Sequence, residues 1–378
     1  MTLVVTGGRV VTAPGAATAD VAIADGTITD IGPRLRGDET LDAGGCHVMA
    51  GFVDLQVNGG FGDDFTTDPA SIWKVGRRLP EHGVTAFAPT IITSRPDRVD
   101  QALDVVAAGP PAGYRGARVL GLHLEGPYLA PTRRGVHPEE YLRRPNVDEV
   151  TTWAPPVVRI VTLAPELPGA EDVTRALHSQ GVVVSAGHSD ADWETLMDAK
   201  SWGVTHGTHL FNGMSGCSHR DPGLAAFLMA DPDLTCGLIV DGVHSHPGSV
   251  RLAWQAKGPE GIGIVTDAIA GLGLGDGTHQ LGALTITCAG GVARAPTGQL
   301  AGAVTPFDAM VRNLLAITGC SLEEAAAAAS ATAAAVLGEA TLGRIAVGAA
   351  GDLTLLDGDL EVAATVVAGS VVYRRGSH

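Results

Sequence analysis

Eight apolar, β-branched runs recur through the middle of the chain with helix-like segments between them. They are HVMAGFVDLQV, VTAFAPTII, RVLGLHLEG, VRIVTLAPE, VVVSAGHS, VTHGTHLFN, TCGLIVDG and IGIVTDAIA. A strand with one wet face alternates apolar and polar residues, whereas near-continuous apolar runs mark parallel strands covered on both faces. Eight such strands with intervening helices predict an α/β fold, a TIM-like (β/α)8 barrel. A doubly wound open sheet is the competing architecture, but no GxGxxG follows the first run to support it. Residues 1–46 and 341–378 have another texture, short alternating strands broken by Gly and Asp turns, as in LVVTGGRVV and GSVVY. They predict one small β-sandwich domain formed by both chain ends, bracketing a barrel domain over 47–340. After the eighth run, THQLGALTITCAGGVARAPTGQLAG reads as an inserted pair of hairpins, and PFDAMVRNLLAI and SLEEAAAAASATAAAVL as closing helices.

The formal net charge of −16 argues against general binding to nucleic acid or to an anionic membrane surface. No apolar run is long enough to span a bilayer. The start, MTLVVTGGRVV, lacks a charged n-region and a small-residue cleavage site, so a cytoplasmic protein is expected. Five cysteines without a CxxC pair read as reduced thiols.

In a barrel, residues at the C-terminal ends of strands converge on one mouth. Those ends carry Asp54, Gln56 and Asn58, then Glu125, His188, His209, Asp241 with His244, and Asp267. A carboxylate ending the apolar run LHLEG needs a cationic side chain, several donors or a metal ion to offset its desolvation. Glu125, His188 and His209 come from three strands, and one carboxylate with two imidazoles and an open position suits a catalytic zinc. Asp267 is then the natural general base beside it. Each residue also has a plainer reading. Glu125 can pair with Arg133 or Arg134, Asp267 can cap its turn, and a strand-end His can simply be hydrogen-bonded. His123, two residues before Glu125, orients that residue or fills a core layer; His206 is read as packing or outer support. Only three lysines occur, Lys74, Lys200 and Lys257, none at a strand end, so no carboxylated lysine is available.

Together PTII, LHLEGPYL, VVVSAGHSD, THLFNGM, DPGLAAFLM, VDGVH and VTDAIAG resemble the N-acetylglucosamine-6-phosphate deacetylases of the amidohydrolase superfamily, over nearly the whole chain. The resemblance implies a divalent metal, Zn2+, on Glu125, His188 and His209, with Asp267 as catalytic acid/base. It implies His137 as a catalytic and substrate-binding residue at the sugar or acetyl carbonyl. It also implies substrate contacts from Asn212, Gly213, Arg220, His244, Ala301, Gly302 and Ala303, with Arg220 and His244 completing an anion site. A phosphorylated amino sugar is the implied partner, with a homodimer in which the arginine crosses between subunits. Where many amidohydrolases open with HxH, this chain has Gln56 and Asn58, weak ligands for zinc, which leaves one ion as the expectation. Rival readings are a relative acting on N-acetylgalactosamine 6-phosphate, a cyclic-amide hydrolase, and an inactive barrel with an assembly role. The missing HxH and lysine oppose the second, and the intact Glu125, His188, His209 and Asp267 oppose the third.

Overall fold

The computed structural model describes residues 1–12 and 15–376. All eight predicted runs contain strands, and they form one parallel barrel in chain order. The strands are Phe52–Val57, Val84–Ile92, Leu122–Glu125, Val158–Leu163, Val183–Ala186, Val204–Gly207, Thr235–Leu238 and Ile262–Ile264. The first two are buried along their full length, as the absence of alternation requires. Beyond the eighth strand the chain closes the circle: Asp267 N donates to Gln56 O at 2.9 Å and Asn58 N to Ala268 O at 2.7 Å. That closure excludes the open sheet.

The chain ends form a separate eight-stranded sheet, ordered Ser370–Arg374, Val362–Val367, Leu353–Leu356, His47–Ala50, Thr2–Thr12, Gly15–Ala24 and Thr27–Gly32, with Glu39–Asp42 also on Thr2–Thr12. It has its own core around Val5, Val21, Ile23, Val48, Leu353 and Leu355. It is mixed, because Thr2–Thr12 runs parallel to Glu39–Asp42 and His47–Ala50. One expectation is corrected here. His47–Ala50, grouped with the barrel by the unbroken run HVMAGFVDLQV, pairs antiparallel with Leu353–Leu356 instead. The run divides at Gly51, where a Cβ would meet Thr85 Oγ1 at 2.1 Å. The chain passes from one sheet to the other there without any polar residue to mark it. Ser377 and His378 lie outside the described residues.

The insertion after the eighth strand is a three-stranded antiparallel sheet, Gly277–Leu281, Leu284–Ala289 and Val292–Arg294. Its buried side, with Leu281, Ile286 and Ala293, packs on Ile92, Ile269 and Ala301, which seats it over the barrel mouth. The alanine-rich segment is helical, opened by a Ser321–Glu324 capping box, but Ala327–Ala331 widens to a π-turn. Ser330 Oγ in that turn donates to Ala50 O at 3.2 Å, tying the closing helix to the sheet crossing. No helix among the described residues is long and apolar enough to cross a membrane.

Candidate active site

The strand ends build one pocket. Asn58, Glu125, His137, His188, His209, Asn212, Gly213, His244, Asp267 and Gly302 line it, and Ile92, Val136, Leu281 and Leu300 supply apolar walls. Three of the polar residues sit in left-handed backbone conformations that side chains other than glycine seldom adopt: His188 (φ 50°), His209 (φ 30°) and Asp267 (φ 51°). Strain of this kind persists where the surrounding structure enforces it, and here it aims side chains off strand ends toward one point.

At that point Glu125 Oε1 lies 2.9 Å from His209 Nε2 and 3.1 Å from His188 Nε2, and the two nitrogens are 3.1 Å apart. His188 Nδ1 is 2.8 Å from Arg133 O. A carbonyl only accepts, so that nitrogen carries a proton, which leaves Nε2, facing a carboxylate and a second imidazole, as the atom this ring can offer an ion. Three lone-pair donors facing one another repel unless a cation lies among them. His209 Nδ1 is buried without a protein partner, so nothing on its far side fixes which nitrogen holds its proton. This donor set fits a divalent ion such as zinc. Glu125, His137 and His188 can also each offer one atom within 4.8 Å of the others. His137 is the poorer ligand in this arrangement: its Nδ1 is held by Thr93 Oγ1 at 2.9 Å and Thr93 N at 3.3 Å, and with Nδ1 as the acceptor its Nε2–H lies 3.7 Å from Glu125 Oε2. That N–H suits a developing oxyanion.

The electrostatics agree. Burial raises the Glu125 carboxyl, but its close contacts with the His188 and His209 rings, and after them the neighbouring His137, outweigh it and hold the group well below the usual range. Burial lowers His209, and the Glu125 carboxylate overrides it and raises the ring. Burial, with the nearby charge of Glu125, pushes Asp267 up to about 6. Burial, reinforced by His188, lowers His137 to about 3, so it is neutral and a donor. Two amides missing from the expected site set join the carboxylates. Gln56 Nε2 donates to Glu125 Oε1 at 3.0 Å and Asp267 Oδ1 at 3.2 Å, and Asn58 Nδ2 donates to Asp267 Oδ1 at 2.7 Å. The HxH positions thus carry hydrogen-bond donors that orient the acids.

The other expected contacts divide. His244 Nδ1 is paired with Asp241 Oδ2 at 2.7 Å, leaving Nε2 for the pocket. Gly213 (φ 57°) leaves room for His188, since a Cβ there would lie 2.8 Å from its Nδ1. Ala301 and Ala303 are buried beside Gly302 and shape the wall rather than face the cavity. Ala303 N donates to Asp267 O at 2.9 Å, a bond that positions the acid. Arg220 is exposed on the segment after His209 and is absent from the pocket lining of the single chain. Thr93, Leu281, Leu300 and the Arg133 carbonyl carry no signal in the sequence, because apolar walls and a backbone oxygen leave no motif.

The Amidohydrolase family matches residues 47–372. The chain is 44% identical over 356 residues to the N-acetylglucosamine-6-phosphate deacetylase of Homo sapiens, covering 89% of this chain and 86% of that one. It is 35% identical over 334 residues to the enzyme of that name from Bacillus subtilis (strain 168), covering 86% and 84%. Among solved structures, the N-acetylglucosamine-6-phosphate deacetylase of Thermotoga maritima superposes with a TM-score of 0.89 at 34% identity, covering 98% and 99% of the two chains. A variant of the Mycobacterium smegmatis enzyme, in complex with N-acetyl-D-glucosamine-6-phosphate, gives 0.89 at 33% identity, again covering 98% and 99%. A closed barrel with strand-end carboxylate and imidazoles, and this degree of likeness, lead to one conclusion: the chain belongs to the N-acetylglucosamine-6-phosphate deacetylases of the amidohydrolase family.

Proposed function

We propose that the chain hydrolyses the acetamide of N-acetylglucosamine 6-phosphate to glucosamine 6-phosphate and acetate, with one Zn2+ on Glu125, His188 and His209. The observation that carries this reading is the cluster of three donor atoms within 3.1 Å of one another, with Asp267 tied to Glu125 through the Gln56 amide. Bound there, the ion supplies a water of lowered pKa and a Lewis acid for the carbonyl oxygen. Asp267 takes the proton released as water attacks the acetyl carbon. His137 Nε2–H donates to the oxygen that gains charge in the tetrahedral state. Asp267 then returns the proton to the sugar nitrogen as the C–N bond breaks, because a neutral amine departs far more readily than an amide anion. Leu281 and Leu300 cover the reacting atoms and exclude bulk water.

The phosphate needs positive charge, and no arginine or lysine lines the pocket among the described residues. Asn212, Gly213 and His244 are its contacts in this reading, with Arg220 completing the anion site across a homodimer. Arg220→Ala therefore raises KM for the phosphorylated sugar about tenfold or more with little change in kcat; an unchanged KM removes Arg220 from the site. A cytoplasmic location follows from a phosphorylated, membrane-impermeant substrate. The reaction is tested by acetate release from N-acetylglucosamine with and without the 6-phosphate, before and after chelation and zinc add-back. Metal-dependent release favouring the phosphorylated sugar is expected. Release that survives full chelation contradicts the proposal.

A further inference from the structure

We propose that Asp190 and Arg133 form a latch that holds the substrate-side loop against His188 and thereby sets the affinity of the cation site. The inference rests on the metal reading above and concerns two residues that touch neither metal nor substrate. The Nδ1–H of His188 donates to Arg133 O at 2.8 Å. Asp190, two residues beyond His188, grips the loop that provides this carbonyl: it pairs with the Arg133 guanidinium and accepts from Thr132 Oγ1 at 2.5 Å. Asp190 itself has a fixed base. Glu166, past the end of the fourth barrel strand, accepts from Asp190 N at 2.6 Å and from Ser189 Oγ at 2.7 Å. The result is a closed ring, from the His188 imidazole through the Arg133 carbonyl and guanidinium to the Asp190 carboxylate and back along the chain.

The same loop carries Gly135, Val136 and His137 into the pocket. Arg134 Nη1 also donates to His137 O at 2.9 Å, which stiffens it. One loop position therefore fixes both the tautomer of a metal ligand and the placement of the donor facing the substrate. The Asp190–Arg133 pair is partly exposed, with side chains 36% and 40% accessible, so as an ion pair alone it contributes little to stability. Its effect is on geometry. An acceptor on the far nitrogen of a ligating imidazole orients the ring and raises its basicity, and loss of such a partner typically lowers metal affinity about 10- to 100-fold. By reciprocity, the bound ion restrains the loop as strongly as the loop retains the ion.

The test is Zn2+ titration of the full chain after metal removal, in competition with a chromophoric chelator. Asp190→Ala and Arg133→Ala each raise the Kd about 10- to 100-fold, the double variant is no worse than either, and the metal-free melting temperature is unchanged. Arg133→Lys, which keeps a cation opposite Asp190, recovers most of the affinity. Single variants whose Kd stays within about twofold of wild type overturn the latch while leaving the metal site standing. A wild-type chain that takes up no Zn2+ overturns the site assignment and the latch with it.

Discussion

His123 and His206 lie one layer below His188 and His209 in the same barrel, and the two pairs differ in what faces their nitrogens. His123 Nδ1 is 3.0 Å from Leu55 O and its Nε2 is 2.7 Å from Thr162 Oγ1, while His206 Nδ1 is 2.7 Å from Thr235 Oγ1. Thr162, Thr208 and Ser185 continue that layer as a hydroxyl chain with 2.6 Å links. Burial lowers His123 to about 4, against the pull of Glu125, and lowers His206 to about 3, helped by His123. The lower histidines are neutral core residues with protein partners. The upper two face each other and a carboxylate, with no protein donor between them. Buried polar groups that are satisfied specify a core. Lone pairs left pointing at one another specify a ligand.

The largest break in this contrast is Glu125→Gln. It removes the charge the upper layer converges on, and zinc content is expected to fall to background with turnover down about 10⁴-fold, several kcal/mol of lost stabilisation. Metal analysis beside the acetate assay checks it. Next, Asp267→Asn leaves the three ligands intact. Zinc is retained while kcat falls about 10²- to 10⁴-fold, and substantial residual turnover would assign the proton transfers to another group.

In the lower layer the signs reverse. His123→Leu strands Leu55 O and Thr162 Oγ1, which costs about 1–3 kcal/mol of stability in urea unfolding and leaves zinc stoichiometry at the wild-type value. Metal loss without destabilisation would place His123 in the upper set. The change least tied to the metal belongs to Asp54, which accepts from Thr266 Oγ1 at 2.6 Å. Burial, opposed by the Thr266 and Gln56 hydrogen bonds, raises it to about 7. The unfolded chain releases this proton near pH 4, whereas the fold keeps it until about pH 7. The stabilisation is thus complete below about pH 4 and lost as pH rises through about 7. Across that window wild type loses stability relative to Asp54→Asn by up to about 1.4 kcal/mol per pH unit. Unfolding titrations at stepped pH read the slope, and a flat difference contradicts it.

How far the sequence reached follows the same division. Glu125, His188, His209 and Asp267 were legible because a barrel brings strand ends together, and a charge ending an apolar run demands a partner. From the sequence His123 either orients Glu125 or fills a core layer; its bonds to Leu55 O and Thr162 decide for the core. The crossing at Gly51 was hidden because both sheets take apolar residues, so HVMAGFVDLQV reads as one strand. Leu281 and Leu300 come from an insertion whose docking depends on tertiary packing. The Arg133 carbonyl is backbone, and any residue there would have shown the same signal. Arg220 stands on an exposed segment, away from the pocket lining of the single chain.

Crystals of the zinc-loaded protein, measured on both sides of the zinc absorption edge, test the central claim most directly. One anomalous peak within coordination distance of a Glu125 carboxylate oxygen, His188 Nε2 and His209 Nε2 is expected, with none beside His123 or His206. A fully loaded crystal whose zinc lies elsewhere, with those three side chains turned from one another, would contradict the account.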